Sequence, residues 1–426
     1  MRTAFISAVL LTLPSLSLSF VWKRPKDDPP PKKNDEPVPP PPPPFTCPVC
    51  PPTTPTNTIR LAYLVTVHDD RTLLAAESLL DHISHPNNIV LLHVDTKYKP
   101  EYWQFSTLNQ VIEECACGTR LIASVAECEW GKWSMNEPVL WALDELSYNP
   151  DYKGHFDKFI TLSGDTLPTL TANGVGELFS QVEVMKEKNF ITSHWSESGL
   201  RPTKYNEFNK NWHKRKAYSF PAVLTYTDMF SSEVYEKKPI PIYFGSQWMT
   251  LNADVVEFLG KSMRDPQSLA NQLKEWMMAR RKVVTDETFF PTIIMSTDEF
   301  VDSIPARSEK LALGEGLDPA VPWLKSIRFE RMDEHAPDCK GYLPDTQRMV
   351  AMEGVEPRVW GPYFLGIYDL KDVVESGALW IRKVSSVVEG NLYKVFPCES
   401  REEIESLPLI SWDPNVDYVI SERPVF

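Results

Sequence analysis

Glycine is scarce in this chain, at 17 of 426 residues, about 4% against a typical ~7%. The glycine-dependent phosphate loops are missing too. No GxxxxGKS/T occurs and no GxGxxG follows an apolar run, so P-loop and dinucleotide-binding readings have no support. There is no GxSxG elbow and no HExxH pair, which removes the signatures of α/β-hydrolases and zincins. Basic charge is also short. The chain has 44 Lys and Arg against 58 Asp and Glu, a net charge of −14. A nucleic-acid binder would need a basic face for phosphates. No Asp-x-Asp follows a strand-like run and no Asn-x-Ser/Thr sequon is present, so N-glycosylation is not expected.

What is abundant is proline, 38 residues, and its distribution is uneven. Sixteen lie in residues 1–55, with Pro39 to Pro44 unbroken. A polyproline run holds an extended left-handed helix without internal hydrogen bonds and acts as a semi-rigid spacer. Residues 23–58 therefore read as a proline-rich stem. Ahead of it, Met1-Arg2 is followed by apolar and small residues to Trp22, with Ser17-Leu18-Ser19 at cleavage-like positions. Residues 1–22 are either a cleaved signal peptide or an uncleaved signal anchor. Both predict entry to the secretory pathway. The 42% hydrophobic content is that of a globular chain, and residues 59–426 have enough of it for one large domain.

The seven cysteines are Cys47, Cys50, Cys115, Cys117, Cys128, Cys339 and Cys398. In an oxidising compartment several are expected to pair, and the odd count leaves at least one over. Cys47-Pro-Val-Cys50 has CxxC spacing but no second ligand pair for zinc.

The body alternates element types. Ile59–Val67 is a short apolar run that predicts a buried strand. Asp69–His82 has apolar residues at helical spacing and acids in its first turn. Asn88–Val94, Leu121–Val125 and Phe156–Leu162 predict further strands. Ser134–Leu146 predicts a helix with Ser134 as N-cap and Glu137 at capping-box spacing. Alternation of this kind predicts an α/β domain with a mostly parallel central sheet, with ligands beyond the carboxyl ends of the strands. His68, Asp95 and Ser163-Gly164-Asp165 fall there. Each one alone is also an ordinary turn or cap residue.

Seven segments in order carry a resemblance: LAYLVTVHDD, LLHVDTK, EWGKWSM, FDKFITLSGDTLP, YFGSQWMTLNADVVEFL, TDETFFPTII and YDLKDVVESGALWIRKV. Together, from about Ile59 to Val384, they resemble the core-2/I-branching N-acetylglucosaminyltransferase and peptide xylosyltransferase family of inverting glycosyltransferases. The resemblance implies a GT-A-like catalytic domain, a UDP-sugar donor (GlcNAc or xylose), a glycan or glycoprotein acceptor, and a Golgi lumen setting behind a stem or secretion after cleavage. It places Val67, His68, Asp95, Trp130 and Ser134 at the donor nucleotide. Asp165, Lys214, Arg215, Gly245, Ser246 and Trp248 go to the acceptor and sugar end.

The resemblance also makes Glu287 the catalytic base, with Asp286 in support. Inversion is a single displacement, so the attacking hydroxyl must lose its proton to a positioned base as the bond forms. A helix-start role for both acids is the competing reading. Departing UDP needs a metal or cations. The family's metal-independent members use basic side chains, which implies Lys383 here, with Arg382 or Arg358 as the second; no metal and no cofactor are expected. A carbohydrate-binding protein without turnover is the alternative from another class.

Overall fold

The computed structural model describes residues 53–54, 56–97, 118–191, 193–194, 219–220, 240–241, 243–279, 285–301, 328–330, 365–366, 369–384 and 392–407. The segments 1–22 and 23–52, Lys214, Arg215 and Arg358 lie outside them, as do Cys47, Cys50, Cys115, Cys117 and Cys339.

The predicted buried runs form the centre. β1 (Leu61–Val67), β2 (Ile89–Val94), β3 (Thr119–Ala123) and β4 (Lys158–Ser163) make a parallel sheet, with β1 between β2 and β4. β2 and β4 are buried along their whole length. Such strands read as continuous apolar runs, because helices cover both sheet faces. β5 (Thr166–Pro168) belongs to a second, three-stranded sheet. The pairs β6 (Ser193–His194) with β9 (Phe244–Gly245), and β7 (Ser219–Phe220) with β8 (Ile240–Pro241), are short and antiparallel. β10 (Thr250–Asn252) adds an antiparallel edge to β4 and completes the order β10-β4-β1-β2-β3. β11 (Arg328–Glu330) and β12 (Trp380–Arg382) pair in parallel, and β12 joins β5 in the second sheet.

Alternate residues of β1 face two cores. Tyr63, Val65 and Val67 pack with α1 (Asp70–Ile83), with Val175 and Phe179 of α2 (Ala172–Gln181), and with Trp380 of β12. Ala62 and Leu64 face α3 (Glu137–Tyr148), α4 (Ala253–Arg264), α5 (Leu269–Ala279) and α6 (Phe289–Met295). Each large aliphatic side chain so buried contributes about 1.5–3 kcal/mol. All described residues fall within one compact unit, Thr46–Phe426. Among them no helix is long and apolar enough to cross a membrane.

Two local readings differ from the sequence expectation. The third strand is Thr119–Ala123, two residues earlier than predicted. Ser134 is not a helix N-cap. It lies inside a 3-10 turn, Trp133–Met135, and α3 begins after Asn136 with proline in its first turn. Proline suits that place because its missing N–H would have no partner there. Cys128 and Cys398 are not in disulfides.

The described residues just before β1 are already packed. Thr54 and Thr56 donate to Glu177 Oε1 at 2.9 and 2.7 Å. The backbone N–H groups of Thr58 and Ile59 both donate to Ser180 Oγ at 3.1 Å. This strap runs along α2 at the amino-terminal edge of the parallel strands.

Candidate functional site

At the opposite, carboxyl edge, Asp69 caps α1. Its Oδ1 accepts from Thr72 N at 2.7 Å, while Thr72 Oγ1 accepts from the N–H groups of His68 and Asp69, each at 3.0 Å. This reciprocal cap ends β1 sharply and leaves the His68 side chain at the surface. Gly164, after β4, lies against the same turn: a Cβ there would stand 2.3 Å from Thr72 O.

Asp95 follows β2 and is buried. Its Oδ1 accepts from Lys97 N at 2.9 Å. Its Oδ2 accepts from Cys128 N at 3.1 Å and lies 3.5 Å from Lys97 Nζ. The carboxylate thus ties the end of β2 to the loop carrying Trp130 and Ser134. Cys128 Sγ lies 3.7 Å from His93 Nε2 and donates to Ser134 O at 3.5 Å. Burial, reinforced by Asp95, pushes the Cys128 thiol up to about 12, and burial lowers His93 to about 4. Near neutral pH both are therefore uncharged, and the thiol is a donor rather than a nucleophile. Trp130 projects from this loop with 55% of its surface exposed.

The loop then meets a second chain segment. Asn136 Nδ2 donates to Thr285 Oγ1 at 2.8 Å. Thr285 opens the 3-10 turn Thr285–Glu287, which holds both predicted acids. Trp133 stacks edge-on to Phe289 with centroids 4.9 Å apart, and its Nε1 donates to Glu137 Oε1 at 2.6 Å. Asp286 is buried, and its Oδ1 has no hydrogen-bond partner among the described residues. Burial raises its carboxyl to about 6, against the opposing pull of the backbone N–H groups of Asp286 and Glu287. Glu287 is half-buried.

A third group forms where the two sheets meet. Arg382 Nε donates to Asp165 Oδ1 at 3.1 Å, and Ser163 Oγ donates to the same oxygen. The Arg382 guanidinium lies 4.7 Å from the centroid of the Trp248 ring. Trp248 N donates to Ser246 Oγ at 3.2 Å, and Met249 N to Thr161 Oγ1 at 2.7 Å. Tyr243 N donates to Thr292 Oγ1 at 2.9 Å, which joins the segment bearing Gly245 to α6. Lys383 is half-buried beside this group, and its carbonyl accepts from Leu365 N at 2.7 Å.

The structure therefore places the predicted residues in three groups. Val67, His68, Asp95, Trp130 and Ser134 sit at the ends of β1 and β2 and on the loop after β3. Asp286 and Glu287 are joined to that loop through Asn136. Asp165, Ser246, Trp248 and Arg382 stand together, so Arg382 falls with the predicted acceptor residues. Asn136 and Thr285 escaped sequence reasoning, because two polar residues 149 positions apart leave no pattern. The proline after Asn136 was the one available signal.

Residues 61–312 match the profile of the family described as Branch: Core-2/I-Branching enzyme. No curated protein matches the chain. Among solved structures, core-mannan synthase A from Aspergillus fumigatus in its Mn/GDP form is 12% identical, over 60% of this chain and 74% of that one, with a TM-score of 0.29.

Proposed function

This chain belongs to the Core-2/I-branching enzyme family, and from that membership we propose that it is an inverting, GT-A-like glycosyltransferase moving GlcNAc or xylose from a UDP-sugar to a hydroxyl of a glycan or glycoprotein. The observation that carries the proposal is the fastening of the Asp286-Glu287 turn to the loop of Trp130 and Ser134. A base on one segment and donor residues on the other are thereby held as a unit, which the displacement requires.

In this reading Glu287 takes the proton of the attacking hydroxyl as the new bond to the anomeric carbon forms and the bond to UDP breaks. Asp286 supports it from the interior. Val67, His68, Asp95, Trp130 and Ser134 border the nucleotide. Lys383 meets the charge developing on the diphosphate without a metal. Arg382, whose Nε is engaged by Asp165, serves the sugar and acceptor side with Trp248, Ser246 and Gly245. The apolar leader and proline stem support a setting in the secretory pathway, in the Golgi lumen if anchored or outside the cell if cleaved.

The test is UDP release by the purified chain across a panel of UDP-sugars, with and without EDTA, beside a Glu287→Gln variant. Equal release by the variant would remove Glu287 as base. Loss of release in EDTA would overturn the metal-free step. Sugar-nucleotide binding without release under any condition would point to a carbohydrate-binding protein.

A further inference from the structure

The turn bearing the two acids is only three residues long. A 3-10 turn of that length has strained hydrogen-bond geometry and little ability to hold its own orientation. Its position comes from outside. Thr285 Oγ1 accepts from Asn136 Nδ2 at 2.8 Å and faces Lys132 O at 3.3 Å, so one hydroxyl touches two residues of the donor-side loop. Asn136 is wholly buried, and its amide also donates to Trp133 O at 3.2 Å. On the far side Thr288 returns both its N–H and its hydroxyl to Thr285 O at 3.2 Å, and the next residue, Phe289, packs on Trp133. Asp286 and Glu287 are thus bracketed by Thr285 and Phe289, which both contact residues 132–136. Asp286 Oδ1 adds no anchor of its own among the described residues.

We propose that Asn136 and Thr285 form a positioning pair that sets the Asp286-Glu287 turn against the donor-side loop. Neither touches substrate; they act through the placement of Glu287. The inference rests on the general-base reading above. It requires that cutting the Asn136–Thr285 bond lowers the rate of the bond-making step and leaves donor affinity nearly unchanged, since a base misplaced by about 1 Å loses roughly 100-fold in rate. Thr285 directly precedes Asp286 and both are buried, so loosening the turn admits water to that carboxyl.

Thr285→Val keeps the shape of the side chain and removes the hydroxyl, whereas Thr285→Ser keeps the hydroxyl. The full chain carrying each is compared with wild type for kcat and KM of UDP release from UDP-N-acetylglucosamine and UDP-xylose. In parallel, carbon-13 NMR follows the Asp286 carboxyl through pH, its resonance identified by its loss in Asp286→Asn. The expected result for Thr285→Val is a roughly 100-fold fall in kcat with KM within about twofold. Its Asp286 midpoint should fall from about 6 toward the ordinary carboxylate range. Thr285→Ser should match wild type in both. If valine unfolds the chain, Thr285→Ala replaces it. The pair is refuted if the hydroxyl-free variant has the wild-type kcat and Asp286 titration, or if serine fails as badly as valine. Should wild type release no UDP, the glycosyltransferase reading fails, while the Asp286 titration still decides the clasp.

Discussion

Arg382 and Asp165 form a buried ion pair. Nε and Oδ1 are 3.1 Å apart, Asp165 is wholly enclosed, and Arg382 has 11% of its side chain exposed. The pair joins the end of β4 to β12, so the small sheet is electrostatically fixed to the large one. Removing one partner of such a pair strands a buried charge and costs about 3–5 kcal/mol. Arg382→Met is expected to lose that much stability in urea unfolding. The double variant with Asp165→Asn should lose less than the sum of the singles, and additive losses would show the pair to be uncoupled.

Asp286 gives stability a pH signature. Its folded carboxyl titrates near 6, above its ordinary 3.8, because it is buried. The folded state therefore holds the proton more tightly, and stability falls as pH rises from about 4 to 6. The full penalty above pH 6 is about 3 kcal/mol. Asp286→Asn should raise the melting temperature at pH 7.5 and change it little at pH 4. A stabilisation of the same size at both values would exclude this cause.

Glu287→Gln keeps the size of the side chain and removes its basicity. The proposed role predicts a fall of roughly 10²–10⁴-fold in kcat with UDP affinity retained, measured by calorimetry alongside turnover.

Lys158 lies at the other end of β4, buried, with Nζ donating to Lys188 O at 2.7 Å and to Asn252 Oδ1. Burial lowers its pKa to about 7, opposed by Asp254 and Glu187. The charged form is thus penalised below pH 7, and stability should rise as pH goes from 7 toward 10.5. Lys158→Met should flatten that rise in thermal scans between pH 7 and 9.5; an unchanged slope would assign it to other groups.

Gly164→Ala would set a Cβ 2.3 Å from the backbone oxygen of Thr72. Either α1 or the turn after β4 must move. A loss of about 1–3 kcal/mol is expected, with Asp165 displaced from Arg382. Thermal unfolding and the near-ultraviolet dichroism of Trp248 would register it.

Much of the central fold was legible because burial on both faces writes itself as apolar runs. β1 and β2 were found within two residues, and Asp69 lies at the start of α1 as its acid-rich first turn implied. The edge strand β10 and the sheet of β5, β11 and β12 were not legible. Each is three residues long and is defined by pairing with distant segments, such as Arg382 with Thr166. The same holds for the site. Asp95 and Asp165 could be found because they end strands. Asn136, Thr285 and the union of Arg382 with Trp248 exist only once the chain is folded.

The strap from Thr54 to Ile59 has a mechanical consequence. It leaves the body at the amino-terminal edge of β1, and the candidate site lies at the other end of a strand of seven residues, about 20 Å away. A pull on the chain before residue 53 would load the Thr54–Glu177 and Thr56–Glu177 contacts in shear along α2, leaving His68 and Asp95 outside the line of force. The load thus enters the body at one end of β1, and the candidate site lies at the other.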